Sequence, residues 1–70
     1  MTIRTQYIPA TNTKPARVQA RGYGISATIP YNEALDSLGN HLDAVRAIPG
    51  FRIIGTVRAP KGFAFTVAKV

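Results

Sequence analysis

"RVQARGYGISATIPY", residues 17–31, decides how this 70-residue chain folds. Val18 and Ala20 alternate with Arg17, Gln19 and Arg21, the two-residue period of a strand with one face buried. Gly22-Tyr23-Gly24 supplies the positive-φ positions of a tight reversal. Ile25, Ala27 and Ile29 then alternate with Ser26 and Thr28. Pro30 ends the run because it has no amide hydrogen for a ladder. The stretch predicts a β-hairpin with one apolar face and one polar, arginine-bearing face.

Downstream, the period changes. Leu35, Leu38, Leu42, Val45 and Ile48 recur at steps of three and four, which predicts a helical stripe. Residues 31–35 form a separate turn, Asp36 caps the helix with Gly39 in its first turn, and Pro49-Gly50 stops it. Residues 51–58 and 63–69 alternate again around the turn Ala59-Pro60-Lys61-Gly62 and predict a second hairpin. Strict alternation puts Ile53 and Val57 on one face and Arg52, Ile54, Thr56 and Arg58 on the other. Upstream, PATNTKP (9–15) reads as a loop, and TIRTQYI (2–8) as a short extended segment, an optional further strand.

Residues 1–70 thus form one α+β domain of order (β)ββαββ: an antiparallel sheet of four to five strands with one helix on one face. The expected apolar sheet face holds Ile25, Ile29, Ile53, Val57, Phe63 and Phe65 against the leucine stripe. The expected open face gathers Arg17, Gln19, Arg21, Ser26, Thr28, Arg52, Thr56 and Arg58.

Charge is unevenly spread. Nine Lys/Arg oppose three Asp/Glu, for a net charge of +6. Arg4, Lys14, Arg17 and Arg21 precede residue 32 with no acid among them, and Arg52, Arg58, Lys61 and Lys69 follow residue 48 with none. Glu33, Asp36 and Asp43 all lie between. Such segregation is the electrostatic footprint of a polyanion binder, although a small domain of this charge is also simply soluble.

One stretch after another also follows a recognisable pattern. "QYIPATNTKPARVQA" (6–20), "TIPYNEAL" (28–35), the Asn40-His41 pair and "GFAFTV" (62–67) resemble a group of short phage and prophage proteins. The resemblance runs over most of the chain, with DSLGNH (36–41) less acidic than the group's pattern. It implies a mobile-element origin and a compact α+β domain, and it brings no assigned activity and no functional residue.

The residue inventory speaks against catalysis. There is no cysteine, His41 is the only histidine, and Asp43 lies two residues from it, on another side of a helix. Ser37 stands four residues before His41, within reach on a helix, but one such pair is commonplace. His41 is read as flanking the helix's apolar stripe or bonding a neighbouring loop. One histidine and three acids offer no metal site, and "GYG" precedes a strand rather than a helix, so no phosphate-cradling loop or cofactor is expected. No apolar run approaches the ~20 residues of a membrane span, and the start of the chain has no signal-like apolar region, so the expected location is the cytoplasm of a host cell.

Nucleic-acid binding is the leading expectation. Phosphates call for several cations on one surface, with hydroxyl donors between them. Arg17, Arg21, Arg52 and Arg58 would touch phosphates, with Lys14 and Lys61 supporting from loops. Tyr23 at the hairpin tip would stack on a base or fold back on the sheet. A two-stranded ribbon fits the major groove, which favours DNA over RNA. The alternative is a non-enzymatic inhibitor or adaptor whose basic face meets an acidic host protein, with Ile54 as a candidate anchor. An exposed sheet edge would also suit a homodimer.

Overall fold

A computed structural model describes residues 1–70. Five strands, β1 (Thr2–Ile8), β2 (Arg17–Gly22), β3 (Ile25–Pro30), β4 (Phe51–Ala59) and β5 (Gly62–Lys69), and one helix, α1 (Ser37–Arg46), follow along the chain in the order βββαββ. They form a single antiparallel sheet of spatial order β3-β2-β1-β5-β4. The two hairpins read from the sequence therefore do not touch each other. β1, the optional strand of the sequence reading, is the central one and joins them.

The hairpin turns show why their residues are there. Tyr23 and Gly24 have φ of 55° and 73°, the two successive positive values of a type I′ turn, whose twist matches that of the strands. In the β4–β5 turn the left-handed residue is Lys61, at φ 66°, and not Gly62. Gly62 is glycine for another reason. A Cβ there would collide with the Thr5 carbonyl oxygen and lie 3.1 Å from the His41 ring, so a side chain would push β1 and α1 off the turn.

The helix packs on β3, β2 and β1 and barely reaches β5. The core is Ile3, Val18, Ala20, Phe65 and Val67 from the sheet with Ala44, Val45 and Ile48 from the helix side. Asp36 caps α1 as expected, accepting from the Gly39 amide at 2.7 Å. Sealing Ile3, Val18 and Phe65 completely is what lets so short a chain hold a core without disulfides.

Three sequence expectations are corrected. First, the helix does not bury its leucine stripe. Asn40, His41, Ala44 and Val45 face inward, while Leu35 and Leu38 are exposed and Leu42 is half-buried. Two polar anchors fix that rotation. The Asn40 amide donates to the Asn32 and Asp36 carbonyls, each at 2.9 Å, and accepts from the Asn32 amide at 2.6 Å. His41 bonds Thr5 of the central strand.

Second, β4 does not alternate strictly. Ile53 pairs with Val67 and Gly55 with Thr66, so Ile54 is an extra residue, a β-bulge. Beyond a bulge every side chain changes face. Val57, expected in the core, is 64% exposed on the open side. Thr56 and Arg58, expected on the open face, stand opposite Phe65 and Phe63 on the helix side. Third, Ile25 is not core either: it lies on an edge strand beyond the cover of α1 and is exposed.

Candidate nucleic-acid interface

The side of the sheet away from α1 carries no helix and no second layer of chain, and the strand register orders its residues. Arg4 stands opposite Arg21 and Gln6 opposite Gln19. On β3, Ser26 continues the first row and Thr28 the second. On β5 and β4, Ala64 and Val57 extend the first row, and Gly62 and Ala59 the second. The face is thus polar and basic over β3, β2 and β1, and small or apolar over β5 and β4.

Four arginines point to this face: Arg4, Arg17, Arg21 and Arg52. They form a diagonal. Arg17 lies four residues from Arg21 along β2, about 13 Å at strand spacing, and Arg52 lies two strands over and four residues along from Arg4, about 16 Å. A groove of about 450 Å³ runs beside Arg4, Gln6, Gln19, Arg21 and Lys61. No acid shares the face, because Glu33, Asp36 and Asp43 lie in the turn and helix on the other side. The one ion pair of the chain, Arg46 to Asp43 at 3.6 Å, is on the helix surface.

Of the residues expected to bind from the sequence, Arg17, Arg21 and Arg52 meet on the open face. Lys14 and Lys61 sit in the β1–β2 and β4–β5 connections, both at the same end of the sheet. Arg58 is carried away by the bulge, and its guanidinium lies 6.0 Å from the Phe63 ring centroid on the helix side. Tyr23 folds back: its ring stacks on Phe51 at 5.3 Å, leaving it half-exposed. Arg4 was not among the expected residues. Its signal was the alternation of Ile3 and Thr5 with Arg4 and Gln6, legible only once β1 is a full member of the sheet.

His41 is buried among apolar groups, and that desolvation holds its pKa below the usual 6.5. Its Nδ1 lies 2.6 Å from Thr5 Oγ1, and its ring meets Phe63 edge-on at 4.9 Å. The histidine bonds a strand, not a loop. No cluster of three or more potential metal ligands exists in the chain.

Fold and site together define a small one-sided α+β domain: a helix-backed antiparallel sheet with a basic open face. No family model, no curated protein and no solved structure matches it. No helix is long and apolar enough to cross a membrane.

Proposed function

We propose that the open sheet face binds nucleic acid, duplex DNA in preference to RNA, chiefly through backbone phosphates and with little choice of sequence. The observation that carries this reading is the directly opposed pair Arg4 and Arg21, on a face that offers neither a carboxylate. Like charges facing each other across a ladder destabilise a sheet. A row of phosphates would turn that cost into binding energy, with Arg17 and Arg52 extending the contact along the diagonal and Lys14 and Lys61 adding to it at one end. Ser26, Thr28, Gln6 and Gln19 supply uncharged donors between the cations. The resemblance to short phage proteins fits a domain working in the cytoplasm of a host cell, with no chemistry of its own.

A salt titration by fluorescence anisotropy on a labelled duplex tests this. Four phosphate contacts give a slope of log K against log[salt] near −3.6. Arg17→Glu with Arg52→Glu abolishes binding while the circular dichroism spectrum stays unchanged, since both side chains lie outside the core. Absence of binding at low salt overturns the proposal.

A second reading has its own observation. Ile54 and Val57 are 62% and 64% exposed on β4, the strand that also carries Arg52. Two exposed apolar side chains on a strand that also carries a cation suit an acidic protein surface better than a phosphate backbone. If a nuclease-treated host lysate yields a stoichiometric protein partner that Ile54→Asp releases, and DNA does not bind, the domain is an inhibitor or adaptor.

A further inference from the structure

On the helix side of the sheet, where α1 stops short of β5 and β4, a cleft of about 410 Å³ opens beside the β4–β5 turn. Tyr7 and Tyr31 form one wall, their rings edge-to-face at 5.4 Å, and Phe63 with Arg58 lies opposite. Ser37, the first residue of α1, lies at one border and Lys61 at another. No acid lines the cleft, and the nearest, Asp36, is occupied in capping the Gly39 amide.

The floor is His41, 2% exposed. Thr5 Oγ1 accepts from the Phe63 amide at 3.2 Å and donates to the Phe63 carbonyl at 3.3 Å, and His41 Nδ1 lies 2.6 Å from the same oxygen. Nε2 has no partner within the protein. Since no side-chain nitrogen or oxygen here is both sealed off and unpaired, Nε2 keeps its access to the cleft. A deeply buried ring nitrogen thus borders a space that also meets two cations, a hydroxyl and the positive end of a helix.

We infer that this cleft is a nucleotide site, with the phosphate held between Ser37, Arg58 and Lys61 and the base against the aromatic wall. The donors and cations select a compact anion. The Tyr7, Tyr31 and Phe63 rings suit a planar group attached to it, and the volume falls in the range of small-ligand sites. The site lies on the opposite side of the sheet from the arginine diagonal, shares with it only one cation, Lys61 of the turn, and stands whether or not that diagonal binds DNA. A free mononucleotide and the phosphorylated end of a strand present the same chemistry.

The test is an NMR titration of the ¹⁵N-labelled protein with AMP, adenosine, inorganic phosphate, and a short single strand with and without a 5′-phosphate. AMP is expected to move the Ser37 amide and the His41 Nε2 resonance, and to bind about tenfold tighter than adenosine or phosphate. Arg58→Ala weakens AMP about tenfold and leaves duplex binding within about twofold, while Arg4→Ala with Arg21→Ala does the reverse. A 5′-phosphorylated strand that outbinds AMP at these resonances assigns the site to strand ends, and one that does not assigns it to free nucleotide. No shift at Ser37 and His41 with any ligand overturns the inference. So does inorganic phosphate binding as tightly as AMP, or a response of the arginine face alone.

Discussion

Thr5 Oγ1 lies 2.6 Å from His41 Nδ1, and this one bond ties the central strand to the helix. The Thr5 hydroxyl also takes the Phe63 amide, so β1, β5 and α1 meet at a single oxygen. Gly62 has no side chain because this junction leaves no room for one.

Acid should loosen the junction. Burial lowers the His41 pKa in the folded chain, so on acidification the unfolded chain takes up its proton first. The stability tied to neutral His41 is complete above an unfolded pKa of about 6.5 and is lost as pH falls through the lower folded value. The urea midpoint should therefore drop between about pH 7 and pH 5. His41→Gln should be less stable at neutral pH but flat across that window. A wild-type midpoint that is level there contradicts the account.

The β4–β5 turn yields a pair of opposite effects at neighbouring positions. Gly62→Ala drives a methyl group into the Thr5 carbonyl and should cost about 3 kcal/mol or more, reaching outright failure to fold. Lys61→Gly relieves a left-handed lysine and should stabilise by roughly 0.5–1 kcal/mol after glycine's entropy is discounted. Paired denaturant titrations decide both. A stabilising Gly62→Ala would falsify the close approach.

Val57 shows how far the sequence could be read. Hairpin periods, the Asp36 cap and the arginines of β2 depend on local chemistry, and all were legible. The phase of β4 was not, because one inserted residue at Ile54 reverses every side chain after it; a glycine inside an apolar strand, Gly55, was the only hint. Arg58 moved to the helix side for that reason, and Arg4 joined the open face because β1 became central, a matter of long-range pairing that no local pattern encodes. Val57→Ser should accordingly change stability by no more than about 0.5 kcal/mol, against about 3–5 kcal/mol for Phe65→Ala in the same sheet. A Val57→Ser loss near the Phe65→Ala value would return Val57 to the core.

Binding and stability should trade against each other at Arg4. Replacing it with glutamine removes a like-charge pair from the β1–β2 ladder and should stabilise by about 0.2–1 kcal/mol at low salt. The gain should shrink as salt screens the repulsion. The same variant should bind duplex DNA more weakly, with a salt slope shallower by about 0.9. Thermal melts and anisotropy on one preparation measure both, and a destabilised Arg4→Gln would mean the two guanidinium groups do not oppose each other.

Asn40 separates the observed helix orientation from the leucine-stripe orientation most sharply. On the stripe reading, position 40 lies off the buried face, and Asn40→Ala would raise helix propensity and stabilise by about 0.5 kcal/mol. Here Asn40 is 1% exposed and clamps the 32–36 turn with four hydrogen bonds. Alanine would strand the Asn32 amide and the carbonyls it serves, at a cost of about 2–4 kcal/mol. Amide exchange at Asn32 should speed up with it, since that N–H bonds Asn40 Oδ1 at 2.6 Å. A neutral or stabilising Asn40→Ala with unchanged exchange would mean that the helix turns its leucines, not its asparagine, toward the sheet.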